Sequence, residues 1–140
     1  MLESLAIAAS ALFTGAAIYV SAVEHPARLM LDDASALGQW KPAYQRGTFM
    51  QASLAIVAGL LGIASWWRDA DVLWLLGALS ALANWPYTLG IVMPVNRKLK
   101  ATATIAMETR ALLKQWGNLH AGRSLLGVAS LIIYVWAAAC

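Results

Sequence analysis

Apolar residues in this chain fall in long unbroken runs rather than alternating along the backbone. LAIAASALFTGAAIYVSAV closes at Val23, and GTFMQASLAIVAGLLGIASWW extends from Gly47 to Trp67. VLWLLGALSALANWPYTLGIVM covers Val72 to Met93, and LHAGRSLLGVASLIIYVWAA ends at Ala138. A helix needs about 20 mostly apolar residues to cross a bilayer, whereas a spanning strand would alternate. The pattern predicts an all-α, integral-membrane four-helix bundle. It forms one domain over residues 1–140, with spans near 4–23, 47–67, 72–93 and 119–138.

The connections are unequal. RDAD joins the second and third spans as a tight turn, while ARLMLDDASALGQWKPAYQR and PVNRKLKATATIAMETRALLKQWGN form two long connections on the same side. In the second of these, Leu99, Ile105, Leu112, Leu113 and Trp116 stand among cations. They predict an amphipathic helix lying on, or rising from, the membrane interface. Of the ten Lys and Arg residues, nine fall on this side and only Arg68 on the other. The positive-inside rule puts both long connections in the cytoplasm and both termini outside, in an inner membrane of bacterial type.

Composition agrees with this reading. The chain is 61% hydrophobic and 12% charged, about half the charge content of soluble domains. Its net charge of +3 is then a topology signal, and no nucleic-acid partner is expected. The single cysteine, Cys140, excludes an intramolecular disulfide. Glu3 stands where a leader peptide would carry basic residues, so the first run reads as a span rather than a cleaved signal. Small residues at four-residue spacing, Ala55 and Gly59, Ala58 and Gly62, Gly77 and Ala81, let helices approach closely. Such contacts suit one bundle or a homo-oligomer. Trp66, Trp67, Trp74, Tyr134 and Trp136 read as an interfacial aromatic belt.

The remaining polar residues gather at one depth. Glu24 and His25 end the first span, and Gln51 lies about one turn inside the second. Asn84 and Tyr87 stand about two turns short of the end of the third, and His120 and Arg123 begin the fourth. Unpaired polar groups cost several kcal/mol in hydrocarbon, so these side chains should turn inward and meet. Trp116, His120 and Arg123 share a helical face by i, i+4, i+7 spacing, and Asn84, Tyr87 and Thr88 share another. The expectation is a pocket open toward the cytoplasmic leaflet and lined by both imidazoles. Arg28, Arg46 and Arg123 can also snorkel to phosphates, and Pro26 fits the start of a short interfacial helix. The other half of the bilayer receives little more than Ser65 and Ser130, whose hydroxyls can bond their own helix.

No phosphate loop, HExxH or nucleophile elbow is present. Three chemistries stay open. Glu24, His25 and His120 are types that ligate iron, copper or zinc; the two histidines could hold a haem; or the site works without a cofactor, a histidine acting as base.

Four stretches carry a family resemblance: VEHPARL, WKPAYQRGTFMQASLA, PYTLGIVMPVNRKL and LLKQWGNLHAGRSLLG. Together they resemble the membrane family that includes the fungal anthrone oxygenases. The resemblance implies a four-helix membrane fold and, for some members, oxidation of an anthrone to an anthraquinone by molecular oxygen. Carried onto this chain, it points to Glu24, His25, Pro26, Arg28, Trp40, Tyr44, Arg46, Gln51, Pro86, Tyr87, Pro94, Asn96, Trp116, His120 and Arg123. The expected protein is an oxygenase or oxidase acting on an apolar aromatic small molecule taken from the lipid bilayer. His120 or His25 is the base or metal ligand, Glu24 its partner, and Arg123 or Arg46 faces anionic oxygen. Gln51, Asn84, Tyr87, Trp116 and Tyr44 orient the substrate. The alternative is a haem-, quinone- or lipid-binding protein without turnover.

Overall fold

A computed structural model describes residues 1–139, all α-helical apart from short connections. Four helices are long and apolar enough to cross a membrane: α1 Leu2–Arg28, α2 Asp33–Asp69, α3 Val72–Ala101 and α4 Met107–Ala139. They pack as an up-down ring in which each helix touches its sequence neighbours and α4 closes on α1.

Two helices widen where proline follows. His25 N–H bonds to Val20 C=O and Met93 N–H to Thr88 C=O, which makes the segments Val20–Glu24 and Thr88–Val92 π-helical. Pro26 and Pro94 come next. A proline has no N–H to give and its ring crowds the carbonyl four residues back, and one wider turn relieves both conflicts. Pro26 therefore continues α1 rather than opening a separate interfacial helix, so His25 and Arg28 stay in register with the span.

The long connections are mostly helix. Only Leu29–Asp32 separates α1 from α2, and Asp32 Oδ1 caps α2 by accepting from the N–H groups of Ala34 at 3.1 Å and Ser35 at 3.0 Å. Hydrogen bonds from Ser35 hold this carboxyl below the usual aspartate range. The cap thus persists at neutral pH and is released as pH falls through that lowered value. The expected amphipathic helix of the second connection is divided. Its first part extends α3 to Ala101, residues 102–106 are non-helical, and its second part opens α4. Lys41 Nζ donates to Thr102 C=O at 2.7 Å and ties this break to α2.

At the other end, Ala70 takes the left-handed conformation at φ 56° in the turn between α2 and α3. The half of the bundle nearest this turn is closely packed. Tyr134 stacks on Trp74 with ring centroids 5.3 Å apart and donates its hydroxyl to Ala58 C=O at 2.7 Å. Gly62 and Gly77 make room for that side chain, since a Cβ at Gly62 would overlap the Tyr134 hydroxyl and one at Gly77 its ring. These glycines therefore serve contacts within one bundle. Tyr134 and Trp74 are buried and do not belong to an interfacial belt, unlike the exposed Trp67 and Trp136. Ser130 bonds across helices, not to its own: its hydroxyl donates to Gly77 C=O at 2.9 Å.

Candidate functional site

The half bearing the long connections is built around Trp116. Its indole N–H donates to Asn96 Oδ1 at 2.8 Å, joining α4 to α3. His25 lies against it with ring centroids 5.0 Å apart, His120 at 4.9 Å, and Trp40 meets it edge-on at 5.8 Å. Trp40 in turn stacks on Tyr44 at 4.8 Å. Rings from α1, α2 and α4 thus form one cluster, and Asn96 ties it to α3.

Beside this cluster a cavity of about 310 Å³ draws its lining from all four helices. Glu24 and Arg28 come from α1, Tyr44, Arg46 and Gln51 from α2, Asn96 from α3, and Trp116, His120 and Arg123 from α4. Tyr19, Arg46 and Met50 also line it and are exposed, so the cavity opens sideways between α1 and α2. This volume lies at the lower end of small-molecule sites. A second cavity of about 120 Å³ lies on the other side of α2 and is lined by Asn84, Thr88 and Arg123 among apolar side chains. Thr48 and Arg123 line both.

Within the larger cavity two charges cancel. The Arg28 guanidinium donates to the Glu24 carboxylate and to Gln39 Oε1, and Nη1 sits 2.9 Å from His25 Nδ1. Arginine has no acceptor, so His25 Nδ1 must accept and the ring proton sits on Nε2. That nitrogen presses on Gly117, where a Cβ would lie only 2.6 Å away. It faces the Leu113 carbonyl without reaching hydrogen-bond geometry. His25 therefore backs Trp116 and does not line the cavity, contrary to the expectation of two imidazoles there. Its Nδ1 and the Glu24 carboxylate are both taken by Arg28, and its Nε2 is buried against Gly117 with no hydrogen-bond partner. Among the described residues no cluster of three His, Cys, Asp or Glu side chains is placed to hold a metal ion. The expected Glu24, His25 and His120 ligand set does not fit a metal, and the two histidines do not fit a haem between them.

His120 does line the cavity. Its Nδ1 lies 3.0 Å from Ser21 Oγ, itself 3.0 Å from Ser124 Oγ, so the free Nε2 is left for the cavity. In the tautomer whose Nδ1–H donates to Ser21, with Ser21 in turn donating to Ser124, Nε2 presents a lone pair. Neither serine was expected, yet each stands four residues from a histidine, and that helical spacing is the signal that could have found them.

Arg123 is the counterpart. It is only 6% exposed, its Nε has no hydrogen-bond partner, and it forms no ion pair with any described carboxylate. Its guanidinium carbon lies 5.9 Å from the Phe13 ring centroid. Gln51 Oε1 and Asn96 Nδ2, on residues lining the same cavity, are likewise unpartnered. Arg46 stands exposed at the mouth. Tyr87 and Asn84 lie outside the larger cavity. The Tyr87 hydroxyl donates to Leu119 C=O at 2.8 Å and packs on Gly122, which fastens α3 to α4. Asn84 faces the smaller cavity.

The family model described as anthrone oxygenase matches residues 40–133, the stretch that supplies Tyr44, Gln51, Asn96, Trp116, His120 and Arg123. The chain belongs to the anthrone oxygenase family. No curated protein and no solved structure matches it. Membership in the anthrone oxygenase family suggests an oxygenase-like function. The matched stretch includes Trp116, His120 and Arg123 of α4 and omits the Glu24–Arg28 pair of α1.

Proposed function

We propose that the chain is an integral-membrane oxygenase that oxidises an apolar aromatic substrate of the anthrone or phenol kind with molecular oxygen. Its long connections face the cytoplasm and its substrate enters sideways from the bilayer. The observation that carries this reading is the pairing of His120 with a buried, uncompensated Arg123 in one cavity of a family member. His120 Nε2 takes a proton from the acidic carbon or hydroxyl of the substrate, with Ser21 and Ser124 holding the tautomer. Arg123 then stabilises the oxygen onto which the charge delocalises, in a site where water is scarce and the charge interaction is strong.

The resulting carbanion gives its electrons to dioxygen. A new carbon–oxygen bond forms, and the peroxide takes the proton back from His120. Loss of water from that hydroperoxide leaves a carbonyl, so one CH₂ and one O₂ become one C=O and one H₂O. Trp116 and Tyr44 supply flat surfaces for the aromatic rings, and Gln51 offers an acceptor to a substrate hydroxyl. Glu24 neutralises Arg28, and His25 positions Trp116.

Oxygen uptake by the purified protein with dithranol as substrate tests the reading. Replacing His120 by alanine is expected to lower the rate by about 100-fold or more, the usual contribution of a positioned base. Undiminished uptake in His120→Ala would overturn it.

A further inference from the structure

The outer face of the bundle carries a groove of about 980 Å³ along α2, between that helix and α3. Gln45 and Arg46 stand at its end nearest the long connections, Phe49 and Ala52 follow, and Ile56 with Trp85 of α3 form its deep end. Phe49 is 79% exposed and Trp85 40%, so two rings rise as walls above a floor kept low by alanine. Farther along, α2 and α3 close together, since a Cβ at Gly59 would lie 2.4 Å from Leu82 Cγ. That contact bounds the groove at its deep end.

Length and polarity both match one leaflet of a bilayer. From Arg46 to Ile56 a helix rises about 15 Å, the depth of hydrocarbon in one leaflet. Arg46 directly precedes the apolar run that begins at Gly47, so its guanidinium stands at the depth of lipid phosphates. Deeper in the groove the Ser53 hydroxyl bonds back to Phe49 C=O at 2.8 Å and leaves an apolar wall. Arg46 is exposed and, among the described residues, pairs with no carboxylate. No acidic side chain lines the groove. A guanidinium fork fits phosphate oxygens, and its uncompensated charge favours a headgroup of net negative charge. Any exposed face in a bilayer meets lipid, but walls hold a chain in one place and a cation selects its headgroup. We propose that this groove binds one anionic phospholipid, its phosphate on Arg46 and an acyl chain lying from Phe49 to Ile56. Arg46 also lines the mouth of the larger cavity, so the bound lipid stands beside the entrance. This inference rests on the membrane embedding proposed above and is independent of the catalytic reading.

Native mass spectrometry of the full chain tests it, after equilibration in mild detergent with equal amounts of dioleoyl phosphatidylglycerol and dioleoyl phosphatidylcholine. These two lipids differ only in headgroup. The unaltered protein should retain one phosphatidylglycerol about fivefold over phosphatidylcholine, the effect of one well-placed cation. Arg46→Gln should erase that preference. Lys98→Gln, at an exposed cation of the same end outside the groove, should keep it. Ala52→Phe, which fills the floor, should lower retention of both lipids, and Ala52→Leu replaces it if that variant does not fold. Equal retention of the two lipids by the unaltered protein would overturn the proposal. So would loss of the preference in Lys98→Gln as well as in Arg46→Gln, the mark of a diffuse surface field, or unchanged retention in folded Ala52→Phe. Dimers that disappear in Ala52→Phe would give the groove to a second copy instead. A chain that stays in solution without detergent rejects the membrane reading, whereas equal retention by a detergent-dependent chain rejects the lipid site alone.

Discussion

His25 occupies a space that only glycine can leave open. A Cβ at position 117 would lie 2.4 Å from His25 Cδ2, and the ring cannot retreat because Trp116 and Arg28 hold it. Gly117→Ala is therefore expected to destabilise the protein by about 1–3 kcal/mol, the usual cost of overpacking. Gly90→Ala provides the control, since nothing lies within 4 Å of its added methyl and alanine favours helix by about 1 kcal/mol. Thermal unfolding in mild detergent distinguishes the two. An unchanged midpoint in Gly117→Ala would remove the claim that His25 is wedged. The same crowding explains why two histidines so alike in sequence have different places. One has its nitrogens enclosed by protein, and the other keeps one nitrogen free.

Helices here meet through a few long polar side chains as well as through their packed faces. Arg110, near the start of α4, donates to Leu29 C=O and Leu31 C=O, both at 2.6 Å, and its Nε reaches Asp33 Oδ1. It satisfies carbonyls at the end of α1 and clamps the turn that precedes α2. Hydrogen bonds from a charged donor are worth about 1.5–3 kcal/mol, more where removal leaves carbonyls unpaired. Arg110→Ala should lower stability by about 2 kcal/mol and speed amide exchange over residues 29–35. Exchange in that segment equal to the unaltered protein would show that the clamp does not act. The π-helical turns act within their helices. Each shifts the residues beyond it, so His25 and Arg28 on α1, and Asn96 on α3, face inward at the depth of Trp116.

Across the bundle, the two ends contrast. One end is closely packed with Tyr134, Trp74, glycine and alanine, while the other holds two cavities and the buried guanidinium of Arg123. The proposed orientation turns the second end to the cytoplasm and the RDAD turn outward. In a Cys140→Ser background, Asp71→Cys should react with an impermeant maleimide on intact cells, and Thr104→Cys should react only after lysis. The opposite labelling would invert the orientation, leaving the site geometry untouched.

Much of this architecture was legible from the chain alone. Continuous apolar runs allow no other spanning structure, because backbone groups in hydrocarbon must bond within their own segment. Four helices and the tight turn between α2 and α3 follow from that. The gathering of polar residues at one depth follows from the cost of leaving them unpaired in lipid. His120 and Arg123 on a common face follow from helical period. What composition and period could not show is rotation and partnership. Both histidines stand at the right depth, but whether a ring enters a cavity depends on the turn of its helix, which for His25 is altered by the π-segment before Pro26. The Glu24–Arg28 pair is a local i, i+4 contact that helical spacing already permits, whereas whether any carboxylate reaches Arg123 depends on packing between segments far apart in sequence. Only the folded bundle leaves Arg123 unpaired and puts that charge in the wall between two cavities.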